Sequence, residues 1–320
     1  MNILLLSAGR RNLLVRYFKE SLSKSGRKIF AADCSPNAPA LYDADGFFIV
    51  PPFSHQNYMD TIIRLCKENG INTILSVIDP ELSILAENYD RLKAAGIFPL
   101  VSGKEAVEIC FDKYLLHTFL LEHGFRSIPS FISLEEVKEK LGLGELCFPL
   151  FLKPRKGSAS IGLAKVDNLE QLRMAFSKEP GMMIQPFVTG QEWGVDVYAD
   201  FQSREVIQVF PKKKILMRSG ETDKAIGVKN KELMELCKEV VSKLGLVGPI
   251  DLDCFETEQG FVVSEINPRF GGGYPLAYKS GANFMDLILH NLEGRANQPK
   301  IGEFKEGVQM FKYVDAKFVE

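Results

Sequence analysis

Asp253, Glu265 and Asn267 are three oxygen-bearing side chains in one short stretch, and together they could hold a hard cation. Two carboxylates and one amide suit Mg²⁺, which takes oxygen ligands and usually completes its octahedron with water and substrate phosphate, so the metal implies a nucleotide. Just beyond stand Arg269 and the run Gly271–Gly273, a cationic, flexible stretch through which backbone can approach an anion closely. The plainer alternative for Asp253 and Glu265 is the solvated face of an ordinary hairpin.

The elements that must position these side chains are legible around them. Apolar runs at Leu252–Phe255 and Phe261–Ile266 flank the polar turn Thr257–Gly260, which predicts a β-hairpin. Asp253 falls on its first strand, and Glu265 and Asn267, two apart on the second, leave one face of the sheet. Upstream, a strand over Phe148–Lys153 runs into Pro154–Gly162, reading PRKGSASIG, and a further strand follows. Small residues at 157–160 can turn consecutive backbone N–H groups toward a phosphate, and Lys153 can add a point charge. No G-K-[ST] opens a helix there, so the stretch is not a Walker A loop, and an ordinary turn is the alternative. Before it, Asp112 is placed to cap a helix carrying Lys113, Leu116, Phe119 and Leu120, which Gly124 ends ahead of Ile128–Pro129.

Residues 1–100 alternate short apolar runs (Ile3–Leu6, Ile29–Ala32, Phe47–Val50, Thr73–Val77) with helical patterns through Leu13–Phe18, near 56–69 and near 80–94. That alternation predicts an open parallel α/β sheet, with ligand contacts expected at the strand ends Ser7–Arg11, Asp33–Pro36 and Asp79–Glu81. The first turn reads S-A-G-R-R and lacks G-x-G-x-x-G, which argues against NAD. Arg10, Arg11, Asp79 and Glu81 have two readings, capping and surface pairing or substrate contact. Farther on, Leu169–Phe176 reads as a helix and Met182–Phe187 as extended. Lys212–Lys214 read as a solvated loop, Tyr274–Lys279 and Phe284–Asn291 as helices, and Val308–Val319 as a closing strand.

At 320 residues and 46% hydrophobic content the chain can bury more than one core. A net charge of −2 with no long basic block argues against a nucleic-acid partner, and no apolar run approaches membrane-spanning length. Met1–Leu6 is followed at once by Arg10 and Arg11 and reads as a strand, not a signal peptide. Six cysteines without C-x-x-C and four histidines without H-E-x-x-H predict a reduced, cytoplasmic protein without structural zinc.

In order, Lys113, Lys153 with its small-residue loop, Gln185–Val188, Glu192, and then Asp253, Glu265 and Asn267 resemble the ATP-grasp superfamily. The likeness is greatest to carbamoyl-phosphate-synthase-like, single-module members, through FPLFLKPRKGSASIG and SEINPRFGGGYPLAY, and it covers most of the chain. It implies an α/β fold, α+β in part: an N-terminal Rossmann-like domain over 1–110, a small lid subdomain over 111–188 and a large subdomain with the Mg²⁺ site over 189–320.

By the same resemblance Lys113 and Lys153 would contact ATP phosphates, and the loop carrying Arg155, Ser158, Ala159 and Ser160 would close over them. Gln185, Phe187 and Val188 would line the adenine pocket, with Glu192 on the ribose; many members have Glu where Gln185 stands, and its amide still offers an acceptor. Asp253, Glu265 and Asn267 would hold one or two Mg²⁺ ions, with Mn²⁺ as a substitute, and Arg269 would lie beside the transferred phosphoryl group. Arg218, in R-S-G-E-T, resembles a residue bordering the acceptor side. The implied activity is ATP-dependent ligation of a small carboxylate to an amine or other nucleophile through an acyl phosphate, in a protein that could form a homodimer. A small-molecule kinase and a non-catalytic nucleotide-binding subunit are the alternatives. One such module and no visible glutaminase-like segment argue against a complete carbamoyl phosphate synthase.

Overall fold

The computed structural model describes residues 2–157, 162–178, 180–218 and 220–319. Strands β1 (Asn2–Leu6), β2 (Ile29–Asp33), β3 (Gly46–Ile49), β4 (Ile71–Ser76) and β5 (Phe98–Pro99) form a parallel sheet in the order β3-β2-β1-β4-β5. The central strand is apolar on both faces because both are covered. Ile3 and Leu5 join the core that includes Phe18, whereas Leu4 and Leu6 join the core of Ile62 and Leu82. The helical pattern near 80–94 proves to be two helices, Asp79–Glu87 and Tyr89–Ala94, separated at Asn88, whose side chain donates back to the carbonyl of Ile84. Strand β5 went unforeseen because two residues are too few to show a period.

Strands β6 (Leu150–Pro154), β7 (Ala164–Val166) and β8 (Met182–Pro186) make a small antiparallel sheet, with β6 between the other two. It is backed by Val137 and Leu172 of the helices Leu134–Gly142 and Leu169–Lys178. The third sheet runs β13-β12-β9-β10-β11-β14, with every neighbouring pair antiparallel. Its strands are β9 (Gln191–Ala199), β10 (Val206–Arg218), β11 (Glu221–Gly227), β12 (Gly248–Thr257), β13 (Gly260–Asn267) and β14 (Gln309–Phe311). The helix Lys231–Leu244 lies over one face. The same core takes Cys110, Leu116 and Leu120 from the helices Lys104–Phe111 and Lys113–Glu122, so the chain on either side of residue 110 packs on the large sheet.

The other face of that sheet shares a core with the N-terminal domain. Tyr198 and Phe210 pack with Phe18, Phe270 and Phe284, and the rings of Tyr17 and Tyr278 stack at 3.7 Å. The parallel sheet and the large sheet are thereby fixed to each other by apolar contact, which holds the crevice between them.

Two expectations fail here. Lys212–Lys214 are not a loop: they lie in β10, hydrogen-bonded between β9 and β11, and carboxylates on β9 and, one strand farther, β12 neutralise two of the three ammonium groups. The closing strand is confined to Gln309–Phe311, which pairs with Lys224–Ile226. Beyond it Tyr313, Val314 and Phe318 are exposed, so the apolar pattern there has no facing surface to bury it.

Candidate active site

The hairpin of β12 and β13 turns at Thr257–Gly260, where Gly260 takes a positive φ of 105° and the Thr257 hydroxyl donates to the Gly260 carbonyl at 2.7 Å. Its register sets Asp253 directly opposite Glu265, and Asp251 opposite Asn267. Strand alternation therefore puts four oxygen-bearing side chains on one face. Asp251 was the residue missed, although D-L-D carries the same alternation as the E-I-N across from it.

These residues line a cavity of about 700 Å³ between the three sheets. Lys113, Lys153, Gln185, Phe187, Val188 and Glu192 line it too, as does Arg269. Asp112 caps the helix Lys113–Glu122 by accepting the N–H groups of Tyr114 and Leu115, which sets Lys113 at the helix start. The Lys113 ammonium donates to the Gly157 carbonyl at 2.7 Å and stands 3.5 Å from Glu265 Oε1. Lys153, from the end of β6, is buried beside it. Burial lowers the Lys153 pKa to about 8, an effect that Glu265 opposes and the ammonium of Lys113 reinforces. A polyphosphate arriving here would meet two closely set cations that lack enough anions of their own.

Lys214 Nζ bridges Glu192 Oε1 at 2.6 Å and Asp253 Oδ1 at 2.7 Å, linking two predicted site residues through one that was read as solvated. Beneath it Lys212 Nζ donates to Asp196 Oδ2 at 2.6 Å, fully out of solvent. Burial alone would lower the Lys212 pKa, but the charges of Asp196 and Asp251 outweigh it and hold the ammonium above its ordinary value. Gln185 donates through its amide nitrogen to Ser130 Oγ at 2.7 Å, and Ser130 in turn donates to the Ile128 carbonyl at 2.8 Å, which fixes the amide in one orientation.

Burial raises the Glu265 pKa, with Lys113 opposing and the facing Asp253 adding to the shift. Two carboxylates that repel across a strand pair are a fit for a dication, whose charge would reverse that penalty. Among the described residues no three His, Cys, Asp or Glu side chains gather closely enough to enclose an ion by themselves. The all-oxygen donor set of Asp253, Glu265 and Asn267 has the chemistry of a hard-cation site such as one for Mg²⁺, which also takes waters and phosphate oxygens.

Not every expected residue reaches the cavity. Arg155 grips Asp112 at 2.7 Å and lies over the Tyr114 ring. Burial would raise the Asp112 carboxyl, but the hydrogen bonds from Arg155 and the helix N–H groups hold it below its usual range. Arg218 is largely exposed at the end of β10, 3.4 Å from Asp223. Ser158, Ala159 and Ser160 lie outside the described residues. At the N-terminal domain Arg11 and Asp79 line the cavity, Arg10 is exposed, and Glu81 is buried against the hydroxyls of Tyr58 and Ser76, so it neither caps a surface nor faces the site.

Residues 3–100 match the family model for a PylC-like N-terminal domain, and residues 178–315 match the one described as ATP-grasp in the biosynthetic pathway with Ter operon. The chain belongs to the ATP-grasp superfamily. Among curated ATP-grasp relatives, the 3-methyl-D-ornithine–L-lysine ligase of Methanosarcina mazei is 25% identical over 283 residues, covering 87% of this chain and 69% of that protein. The D-alanine–D-alanine ligase of Corynebacterium jeikeium is 29% identical over 187 residues, 48% of this chain and 47% of that protein, so the chain spans about half of the latter's length. The biotin carboxylase domain of Hydrogenobacter thermophilus 2-oxoglutarate carboxylase, solved with MgADP, ADP and bicarbonate, superposes with a TM-score of 0.76. That match has 16% identity and covers 96% of this chain and 73% of that one, and it bears on the fold. Among the described residues of this ATP-grasp protein, no helix is long and apolar enough to cross a membrane.

Proposed function

We propose that this ATP-grasp protein is an ATP-dependent ligase that activates a small carboxylate to an acyl phosphate and passes the acyl group to an amine, releasing ADP and phosphate. What carries the assignment is the convergence in one cavity of Lys113, Lys153 and Arg269 with Asp253, Glu265 and Asn267. ATP and a carboxylate repel each other, so a protein that joins them needs mainly cations held in place before reaction.

Each residue has a part in that chemistry. Gln185, Phe187 and Val188 would take the adenine, with the Gln185 carbonyl oxygen facing the exocyclic amine as its NH₂ is spent on Ser130, and Glu192 would take the ribose hydroxyls. Lys113 and Lys153 would hold the phosphates. Mg²⁺, when held by Asp253, Glu265 and Asn267, would neutralise phosphate charge and polarise the transferring group. Arg269, anchored on Asp79, would stabilise charge on the phosphoryl group as the carboxylate oxygen attacks phosphorus and the bond to ADP breaks. The amine then attacks the carbonyl carbon, the C–O bond to phosphate breaks with its electron pair leaving on phosphate, and the amine proton passes to water. Arg155, paired with Asp112 at the start of the stretch proposed to cover the phosphates, would steady that start, and a cytoplasmic location is part of the proposal.

The test is ADP release from ATP and Mg²⁺ across a panel of small acids and amines, with hydroxylamine as the trap. A hydroxamate formed without the natural amine is expected. A stable phosphoester on an alcohol, with no hydroxamate, would make the protein a kinase.

A further inference from the structure

A second cavity, of about 390 Å³, lies at the opposite end of β4 from the catalytic one. Asn72 and Thr73, near the start of that strand, line it, whereas Val77, Ile78 and Asp79, just past its end, line the catalytic cavity. Its walls come from the first domain and the large sheet together. Lys93 of the helix Tyr89–Ala94 and Phe98 of β5 stand on one side; Phe201, in the turn after β9, and Leu292, at the end of the helix Phe284–Leu292, stand on the other. Small molecules bind preferentially at such junctions, and the volume is of the usual order for them.

Two of the polar side chains on its wall are already engaged. Asn291 donates through Nδ2 to Asp200 Oδ2 at 2.7 Å and accepts the Tyr198 hydroxyl at 2.8 Å, and Gln202 donates to the Asn291 carbonyl at 3.0 Å. Asn72 Oδ1 and Thr73 Oγ1 are in a different state. Both atoms are out of solvent and have no hydrogen-bond partner among the described residues. An acceptor left unmet in that setting keeps the full penalty of its desolvation. The backbone brings the two residues together here: Ile71 is opposite Asn2 and Thr73 opposite Ile3, so Asn72 is an extra residue in β4, and such an irregularity re-aims a side chain. Between these acceptors and solvent the wall is apolar, with the rings of Phe98 and Phe201 edge to face at 5.5 Å. The exposed Lys93 ammonium lies 5.1 Å from the centre of the Phe98 ring, and among the described residues it pairs with no carboxylate.

We propose that this cavity is a second small-molecule site, for an aromatic acid whose ring also carries a hydroxyl or amino group: the ring against Phe98 and Phe201, the carboxylate at Lys93, and the O–H or N–H donated to Asn72 Oδ1 and Thr73 Oγ1. Each part of such a ligand answers one feature of the wall. A wholly apolar molecule would leave the two acceptors unmet, and a small inorganic anion would leave the two rings uncovered. Among the described residues none lines both cavities, so the site stands apart from the catalytic one. Its occupant nevertheless touches both the first domain and the large sheet, whose contact holds the catalytic crevice.

The experiment is titration calorimetry on the full chain, run with and without Mg²⁺ and a non-hydrolysable ATP analogue that fills the catalytic cavity. The probes are para-hydroxybenzoate and para-aminobenzoate; benzoate, which lacks the donor, and phenol, which lacks the carboxylate, are their truncated partners. At least one probe should bind, with the analogue present, more than about tenfold tighter than benzoate and than phenol. Thr73→Val, which keeps the shape and removes the acceptor, should erase the advantage over benzoate, and Lys93→Gln should erase the advantage over phenol. Lys93 is exposed, so its variant decides the matter even if Thr73→Val fails to fold. Equal affinity for the probes and their truncated partners, no binding by either probe, or a preference that survives Lys93→Gln overturns the proposal. Binding seen only without the ATP analogue overturns it too, since the probe would then be seated in the catalytic cavity.

Discussion

Arg269 Nη2 donates to Asp79 Oδ2 at 2.8 Å across 190 positions of chain, and both side chains are almost out of solvent. The pair ties the first helical residue after β4 of the parallel sheet to the loop after β13 of the large sheet. It fixes this arginine from outside the sheet that carries it, and the remaining Asp79 oxygen has no partner among the described residues.

Removing that arginine should therefore harm fold and catalysis separately. Arg269→Ala strands a buried carboxylate and is expected to cost about 3–5 kcal/mol in denaturant unfolding. Arg269→Lys keeps a charge for Asp79 but not the planar fork, so most of the stability should return while hydroxamate formation stays down by about a hundredfold or more, with little change in ATP affinity. Equal losses of ATP affinity and trapping in the lysine variant would make Arg269 a binding residue only.

Glu265→Gln and Asp253→Asn should leave the melting temperature of the nucleotide-free protein close to that of the parent, since each substitution keeps shape and lessens the repulsion of two facing carboxylates. Lys214 keeps Glu192 when Asp253 loses its charge. The Mg²⁺-dependent rise in melting temperature on adding ATP should disappear in both. Early unfolding of both variants without nucleotide would show that the two carboxylates serve the fold and not a metal.

Lys153 predicts a pH dependence. Its folded-state pKa of about 8 lies below the ordinary 10.5, so between those values the unfolded chain holds a proton that the folded protein does not, and this group makes stability rise with pH across that window. Bound phosphates favour the ammonium, so ATP binding should take up a proton just above pH 8 and weaken as pH rises further. Calorimetry in buffers of different ionisation enthalpy reads the uptake directly; binding heats that do not depend on the buffer would remove Lys153 from the phosphates. Lys153→Ala should weaken ATP much more than AMP, by the roughly 1–3 kcal/mol of a charge-assisted contact.

Lys212 offers a test of the buried ion pair below the site. Lys212→Met leaves Asp196 charged and enclosed and should lower stability by about 3–5 kcal/mol, whereas the double variant Lys212→Met with Asp196→Leu should recover most of that loss. Chemical denaturation of both variants decides it, and a neutral single variant would return the lysine to the role of a surface charge.

The hairpin at Thr257–Gly260, the Asp112 cap, the stop at Gly124 and the parallel α/β pattern of the first hundred residues were legible because each is written in residues a few positions apart: a turn glycine, a capping carboxylate, a period of two or near 3.6. The order of motifs from Lys113 to Asn267 likewise needed only the chain, since order and spacing are properties of the sequence itself. Lys212 and Lys214 were misread for the opposite reason. Three adjacent lysines look solvated unless the register of β10 against β9 is known, and that register, with the pairing of β9 and β12, is what sets Asp196, Glu192 and Asp253 against them. Asp251 entered the site through its pairing with Asn267, and Arg11 and Asp79 through the apolar contact that seats the first domain on the large sheet. Sequence alone determined which local elements form and which chemistry they carry. Only the tertiary structure decided which charges meet, because ion pairing in a chain with 39 basic and 41 acidic residues depends on strand register and domain contact between segments far apart along it.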